Sequence, residues 1–455
     1  EPQEMEEQIS QDIKPEEQIL QAQGMEPTAK APEGYTLAAE NDFIILYANE
    51  EAGAIHVVDK ETGYVWSSAV DPKYTPEGEE PDAYFLETYS SLFGLSYTDL
   101  GMNTTDIITD LTLDYLERCD RDRPFFIKYH HKAPHRSWDP DARHKDMYKD
   151  VEMPLPETFF DDYSNRSQAA KEAKMRITHD MRYHDLKLVP PEGKNSSDNI
   201  PYPDDLTGFF LVPKETGEKV FFKSHDELAN FKYQRYIKDY LRCIASVDDN
   251  VGRVLDYLES AGILDDTVVI YTSDQGFFLG DHGWFDKRFM YEESLRMPFI
   301  VRYPREIKAG TVIDEIITNV DIPAAFADWA QLEKPAYFQG NSFRPLLAGQ
   351  VPEDWQQSMY YRYWMHLSHH YVSAHYGIRT RDFKLIYYYG ESLGQPNTLN
   401  ESKPPEWELF DLRKDPREMK NVYHDPLYAA KVKELKAELH ALQQKFGDCP
   451  VAEID

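Results

Sequence analysis

The stretch from residue 237 to residue 272 constrains the fold of this chain more than any other. Its first part carries apolar side chains at helical spacing, and Gly262 is placed to end the helix that they predict. A continuous apolar run follows at residues 267–272, of the kind found in a parallel strand covered on both faces. A helix followed by such a strand favours an α/β layered domain. The apolar positions of the helix are Ile237, Leu241, Ile244, Val247, Val251, Val254 and Leu258.

The same order of helix and apolar run occurs elsewhere in the chain. Residues 106–116 show helical spacing in front of the apolar run 124–127, and residues 298–301 form another such run. Beyond residue 359 the pattern changes to short strand-like runs, followed by a last helix with one apolar stripe. We expect a smaller C-terminal antiparallel sheet covered by that helix. Its strands are predicted at residues 360–364, 376–380, 383–389 and 408–412.

The N-terminal part of the chain differs in composition. Residues 1–34 are rich in Glu, Gln and Pro, and we expect a disordered acidic linker there. Residues 35–70 hold β-prone runs separated by Gly-containing turns, which predict a short antiparallel β module, and residues 71–82 read as a second linker. The predicted division is a linker (1–34), the β module with its linker (35–96), an α/β domain (97–350) and a C-terminal subdomain (351–455).

Charge and cysteine content exclude several classes of protein. The 455 residues carry a net charge of −32, so neither nucleic acid nor an anionic membrane surface is an expected partner. No apolar run is long enough to span a bilayer. The three cysteines, Cys119, Cys243 and Cys449, are odd in number and widely spaced, which fits neither a disulfide framework nor a zinc site.

Two polar clusters stand directly after predicted parallel strands, where α/β sheets bind their ligands. The first cluster is residues 130–135, and the second is residues 273–276, with a Gly- and Asp-rich segment, residues 280–287, close behind it. Each of their side chains, taken singly, also fits a structural role such as a helix cap, a packed histidine or a solvated surface charge.

Together these side chains predict an anion site beside a metal site. The carboxylate of Asp274 and the amide oxygen of Gln275 are hard donors suited to Ca²⁺ or Mg²⁺. Lys132, His135 and Lys287 are cationic donors suited to a tetrahedral oxyanion.

The two clusters resemble the motifs of the type I sulfatases, calcium-dependent sulfuric ester hydrolases of the alkaline-phosphatase superfamily. The resemblance runs from about residue 97 to the C-terminus and includes residues 132–136, 157–163, 271–288 and 408–412. It implies an alkaline-phosphatase-like mixed sheet sandwiched by helices.

The resemblance also implies roles for individual residues. Lys132 and His135 would hold the sulfate group, His135 would assist the leaving oxygen, and Lys287 would supply a third cation. Asp274 and Gln275 would be two ligands of one Ca²⁺ ion. Substrate contacts are expected from residues near these motifs, namely Asp161, His282 and His375.

This sequence departs from the family pattern upstream of Lys132. No Cys or Ser stands in a Cys/Ser-x-Pro/Ala-x-Arg signature, the source of the formylglycine nucleophile, and no Asp-Asp pair precedes Lys132. Cys119, for example, lies in Arg-Cys-Asp-Arg-Asp. Two accounts are open: a truncated or chimeric sulfatase, or a non-catalytic descendant that keeps the anion pocket. We expect no sulfate release from the chain as printed and a metal site that is incomplete.

The leading hypothesis is a sulfatase-like hydrolase of sulfated glycans, resembling bacterial N-acetylglucosamine-6-sulfatases. A phosphoesterase of the same superfamily and a non-catalytic sulfated-glycan-binding protein are the alternatives. A sulfated carbohydrate is the expected partner, and the expected location is secreted or periplasmic.

Overall fold

The computed structural model describes residues 35–40, 44–49, 54–59, 65–67 and 103–451, with 41–43, 50–53, 60–64 and 68–102 left out between them. The chain divides into two compact units: residues 1–96 with 319–344, and residues 97–318 with 345–455. The predicted linkers at residues 1–34 and 71–82 lie outside the described residues.

The described residues of the two units form helices and strands, and the strands pair into small sheets. The helices are α1 (Thr104–Arg118), α2 (Gln168–Glu172), α3 (His225–Ser260), α4 (Glu292–Leu295), α5 (Asp321–Trp329), α6 (Arg344–Leu347) and α7 (Ala429–Phe446). The strands are β1 (Thr36–Glu40), β2 (Ile44–Asn49), β3 (Ala54–Asp59), β4 (Val65–Ser67), β5 (Phe210–Leu211), β6 (Val220–Phe221), β7 (Val269–Thr272), β8 (Phe278–Leu279), β9 (Phe285–Asp286), β10 (Phe299–Arg302), β11 (Ser358–Tyr363), β12 (His375–Thr380), β13 (Phe383–Tyr388) and β14 (Glu406–Asp411).

The N-terminal strands form the predicted antiparallel meander. Strands β1 to β4 pair in sequence order, each antiparallel to the next. Ile45 and Tyr47 of β2 are buried and pack with Tyr35. The same unit contains α5, where Arg344 donates a hydrogen bond of 3.0 Å to the Asp328 side chain.

The long helix predicted from the spacing at residues 237–258 is confirmed as α3, which begins earlier, at His225. The Ser224 side chain caps its first turn by accepting a hydrogen bond from the backbone N–H of Glu227. Gly262 follows its end with φ +69° and donates to the carbonyl of Glu259, because the left-handed conformation ends a helix without steric cost in glycine.

The apolar run at residues 267–272 forms β7, but its partner in the described chain is antiparallel. β7 pairs with β10 in a two-stranded sheet, so the prediction of a parallel strand is wrong for this pair. Residues 124–129 were predicted as another strand and form none within the described residues. Their side chains still alternate between exposed and half-buried, as in an extended chain, and Phe126 is 61% exposed.

The C-terminal part confirms the predicted antiparallel sheet and its helix. Strands β11 to β14 pair in sequence order, and α7 contacts β11, β12 and β13. Leu435 and Leu439 of α7 are buried against the sheet. Mixed α/β structure with small antiparallel sheets is therefore the observed class.

Candidate functional site

Three predicted motif segments pack around Tyr236 in the middle of α3. This side chain is fully buried, and its hydroxyl donates a hydrogen bond of 2.9 Å to the carbonyl of Phe278. Its ring lies 4.7 Å from Trp138 and 6.5 Å from Phe285, both edge-on. Trp138 follows the Lys132–His135 segment, Phe278 follows Asp274, and Phe285 precedes Lys287. The helix thus brings the bases of all three segments together.

The Lys132–His135 segment forms a turn that is fixed at its base. The His135 backbone N–H donates to the Lys132 carbonyl at 2.8 Å, and both side chains are exposed. Arg136, the next residue, makes a two-point ion pair with the fully buried carboxylate of Asp185, and its guanidinium lies 5.1 Å from the centre of the Phe285 ring. The indole N–H of Trp138 donates to the turn at Pro134 over 2.9 Å. The two cationic side chains therefore project from a rigid support.

Asp274 and Gln275 follow the end of β7. The Asp274 side chain is exposed and that of Gln275 is half-buried. Burial and the charge of Lys128 hold the pKa of His130 below its usual value, and the carboxylate of Asp274 acts in the opposite direction, so Asp274 lies within electrostatic range of the first cluster.

Gly276 clamps the Asp274–Gln275 segment against residues 293–296. Its N–H donates to the Ser294 carbonyl at 2.8 Å, and a Cβ placed here would lie 2.1 Å from the Glu293 carbonyl oxygen. No larger residue fits without moving the backbone.

Asp286 fixes the segment that carries Lys287. Its carboxylate accepts a hydrogen bond of 2.6 Å from the Lys287 backbone N–H and contacts Arg288 at 3.1 Å and His370 at 3.0 Å. Burial opposes ionisation of Asp286, but the hydrogen bond to His370 and the charge of Arg288 outweigh it and hold its pKa well below the usual range. The Lys287 side chain is half-buried.

Asp161 and His282, both predicted to contact substrate, lie inside the protein and bind each other. The His282 side chain has no exposed surface, and its Nδ1 lies 3.0 Å from the Asp161 carboxylate. Arg166 donates to the same oxygen at 3.0 Å. Burial opposes ionisation of Asp161, but His282 and Arg166 together lower its pKa. The Tyr163 hydroxyl donates to the His282 carbonyl, which joins residues 158–163 to residues 280–283.

His375, the third predicted substrate residue, is fully buried at the start of β12. Its ring lies 5.1 to 6.0 Å from four aromatic rings. Burial lowers the pKa of His375 to about 4, although its hydrogen bond to the Ser373 carbonyl acts in the opposite direction. Contact with a sugar would require this aromatic cluster to open. The four rings are Phe289, Tyr361, Tyr363 and Tyr388.

Sequence reasoning did not single out Arg136, Tyr236 or Asp286 as parts of the site. Arg136 directly follows the first polar cluster and Asp286 directly precedes Lys287, so adjacency was the available signal. Tyr236 lies in a helix among many apolar positions, so no sequence signal distinguished it.

The candidate site contains oxygen donors suited to a metal ion. Within the described residues, no group of three or more His, Cys, Asp or Glu side chains lies close enough together to hold one. Asp274 and Gln275 supply one carboxylate and one amide oxygen, a hard donor set that fits Ca²⁺. Over the same part of the chain, no helix is long and apolar enough to cross a membrane. A secreted or periplasmic location stays a prediction.

Comparison with known proteins supports the family resemblance. A sulfatase family model matches residues 44–332, and a model of the C-terminal region of N-sulphoglucosamine sulphohydrolase matches residues 280–445. The first match begins within the predicted β module, upstream of the stretch on which the resemblance was recognised.

Curated relatives and solved structures agree with the family models. An N-acetylglucosamine-6-O-sulfatase of Bacteroides thetaiotaomicron is 39% identical over 420 residues, which cover 88% of this chain and 71% of the relative. An arylsulfatase of Clostridium perfringens is 26% identical, and the match covers 76% of this chain and 60% of that protein.

Among solved structures, BT4656 in complex with its substrate D-glucosamine-2-N,6-O-disulfate matches with a TM-score of 0.65 and 41% identity, over 76% of this chain and 70% of that one. A phosphonate monoester hydrolase from Silicibacter pomeroyi shares the fold, with a TM-score of 0.52 and 22% identity over 75% of this chain and 60% of that one. The chain is therefore a member of the sulfatase family, in the alkaline-phosphatase superfamily.

Proposed function

We propose that this protein is a sulfatase-like protein that recognises sulfate esters of glycans and binds the sulfate group with Lys132, His135 and Lys287. The observation that carries the proposal is the supported turn, on which Lys132 and His135 are exposed while Arg136 and Trp138 fix its base. Fixed cations of this kind stabilise the negative charge that develops on the oxygens of a sulfuryl group in transfer, because they need not reorganise during the reaction.

His135 has a defined tautomer in this arrangement. Its Nδ1 lies 2.8 Å from the Arg136 carbonyl oxygen, which can only accept, so Nδ1 carries a proton. Nε2 is then the nitrogen that exchanges a proton with the substrate. In a chain that also carries the nucleophile that forms the new bond to sulfur, Nε2 of a protonated ring would donate its proton to the oxygen that leaves.

Asp274 and Gln275 would hold Ca²⁺ beside this turn. The ion, when bound, supplies Lewis-acid stabilisation of the sulfate oxygens. Asp161 and His282 act on the substrate side by holding residues 158–163 against residues 280–283. A contact of His375 with the substrate stays a prediction, because its ring lies inside the aromatic cluster of the C-terminal sheet.

The substrate class follows from the relatives. One is named an N-acetylglucosamine-6-O-sulfatase, and BT4656 was solved with a 6-O-sulfated glucosamine. We therefore propose a 6-sulfated glucosamine unit as the ligand. The printed sequence holds no Cys/Ser-x-Pro/Ala-x-Arg signature, so the direct test measures binding, which needs no nucleophile, in parallel with sulfate release.

The decisive experiment compares binding of N-acetylglucosamine-6-sulfate by calorimetry in the wild-type protein and in Lys132→Met. Loss of one charge-assisted hydrogen bond is worth about 1.5–3 kcal/mol, so the variant should bind roughly ten- to a hundredfold more weakly. Lys308→Met, at an exposed lysine far along the chain, is the matched control and should bind as wild type. Equal affinity in all three proteins would refute the proposed sulfate site.

The same titrations separate the alternatives. Preference for N-acetylglucosamine-6-phosphate over the 6-sulfate would favour a phosphoesterase, since both groups are tetrahedral. Binding of the 6-sulfate without release of sulfate is the result expected of the chain as printed, whether it is a truncated sulfatase or a non-catalytic glycan-binding protein. Sulfate release by the chain as printed would refute the expectation that it has no turnover of its own.

A further inference from the structure

The hairpin formed by β5 and β6 exposes two phenylalanines on one face. Phe210 and Phe221 are directly paired across the strands, with ring centres 5.6 Å apart, and are 37% and 60% exposed. Leu211 and Val220, on the opposite face, pack into the core around α3. The hairpin is therefore anchored by one face and presents an aromatic surface with the other, which we call the hairpin platform (residues 209–223).

The hairpin platform is basic in an otherwise acidic protein. The ammonium of Lys219 lies 4.1 Å from the centre of the Phe210 ring, beside the exposed aromatic surface. The chain as a whole carries a net charge of −32, so this local excess of positive charge is unusual for the molecule. The charged side chains on or against the platform are the basic Lys214, Lys219, Lys223 and Arg235 and the acidic Glu215, Glu218 and Glu227, the last of which accepts a hydrogen bond of 2.8 Å from the Lys223 backbone N–H.

The pairing of the charges leaves the lysines available to a ligand. Glu215 accepts from Arg235 at 2.6 and 3.0 Å, so this acidic side chain is already neutralised. Lys214, Lys219 and Lys223 are all exposed. A ligand that combines an apolar face with negative groups complements this surface in both shape and charge.

The platform rests on the same support as the Lys132–His135 turn. The Lys214 backbone N–H donates to the Lys187 carbonyl at 2.9 Å. The Lys187 ammonium donates in turn to the Trp138 carbonyl at 2.5 Å, and the Trp138 indole donates to Pro134 inside the turn. Three hydrogen bonds thus connect the platform to the candidate sulfate site.

We propose that the hairpin platform is a second binding site for a sulfated glycan chain and holds sugar units other than the one in the sulfate pocket. Sugar rings present apolar C–H faces that stack on Phe210 and Phe221, while Lys219 binds sulfate groups of the same chain. The class of ligand rests on the proposed function; the existence of the site rests on the platform alone.

The test measures the affinity of the full chain for a glucosamine-containing sulfated octasaccharide and for N-acetylglucosamine-6-sulfate. The variants are Phe210→Ala with Phe221→Ala, and separately Lys219→Glu, which keeps the aromatic pair and serves if the double variant fails to fold. The controls are Leu427→Ala, at a position 89% exposed, and Lys308→Glu. The double Phe variant should bind the octasaccharide about tenfold more weakly and Lys219→Glu about fivefold, since loss of aromatic stacking weakens binding more than loss of one exposed ion pair.

The outcomes distinguish this inference from the proposed function. Weaker octasaccharide binding with unchanged monosaccharide binding supports the platform. Weaker octasaccharide binding in a protein that shows no monosaccharide binding also supports it, and then the proposed sulfate pocket fails alone. Wild-type octasaccharide affinity in Lys219→Glu and in a folded double variant overturns the inference. A platform variant that changes only the oligomeric state, seen by light scattering, also overturns it, because the surface then joins two copies of the chain.

Discussion

Replacing Glu418 by Gln should remove a large part of the pH dependence of stability. Glu418 is 1% exposed and forms an ion pair of 2.5 Å with Lys384, which is itself fully buried and also pairs with Glu292 at 2.9 Å. Arg379 contacts Glu292 as well, at 3.0 Å. The two cations thus stabilise the ionised form of Glu292, whose pKa falls to about 2 despite burial. Burial dominates at Glu418 and raises the pKa of that carboxyl group to about 7.

The sign and size of the effect follow from linkage. A carboxyl group with a raised folded-state pKa stabilises the protein fully below its unfolded pKa of 4.5, and this contribution is lost as the pH rises to about 7. At about 1.4 kcal/mol per pKa unit, the rise from 4.5 to about 7 corresponds to roughly 3 kcal/mol. Glu418→Gln keeps the neutral form at every pH and should lack this loss.

The assay is urea unfolding of both proteins at intervals from pH 4.5 to pH 8. The difference in the free energy of unfolding between wild type and Glu418→Gln should change by about 3 kcal/mol over this range, in favour of the variant at high pH. Glu434→Gln, at an exposed glutamate paired with Lys431 on α7, is the control and should run parallel to wild type. Parallel curves for Glu418→Gln and wild type would refute the reasoning.

Two further substitutions test the support of the site. Gly276→Ala should destabilise the protein by about 1–3 kcal/mol, because the new methyl group would lie 2.1 Å from the Glu293 carbonyl oxygen. The control Gly252→Ala, in α3 with open space around it, should stabilise the protein by up to about 1 kcal/mol. Thermal unfolding measures both variants, and equal melting temperatures would contradict the close contact at Gly276. Lys232→Met should lower the free energy of unfolding by at least about 2 kcal/mol, because the buried ammonium donates to the carbonyls of Thr178, Ile200 and Pro201, and an unpaired buried carbonyl costs about 1–3 kcal/mol. The control Lys433→Met, at an exposed position on α7, should stay near wild type in urea unfolding. A similarly small loss of stability in Lys232→Met would count against the three hydrogen bonds.

The long-range regularities of the fold could be predicted from sequence, because they depend on periodic burial. The spacing over α3 and the stripe of α7 each repeat over several turns, and the alternation in β11 to β14 is bounded by clear turns. Residues 124–129 have the composition of a strand, yet a strand also requires a partner, and the partner of a segment is not encoded within it. The prediction that β7 is a parallel strand was wrong for the same reason.

The sequence located the motif segments, but it did not predict the environments of their side chains. Lys132 and His135 are exposed on a turn, as an anion site requires. His282 and His375 have the same residue type and lie fully inside the protein, where one binds Asp161 and the other packs among aromatic rings. His282 is buried against Asp161, which lies 121 residues away in sequence, so a local pattern does not separate these cases.

The contact between His370 and Asp286 ties the C-terminal sheet to the segment of Lys287. The fully buried Glu408 of β14 adds further contacts between the sheet and the rest of the chain. It accepts hydrogen bonds from the Ser167 backbone and from the Tyr291 and Tyr388 hydroxyls. A chain cut at residue 350 would lose these partners and expose the apolar side chains they enclose. We therefore expect the C-terminal sheet and the motif segments to fold together as one unit. Neither part is expected to fold if it is separated from the other.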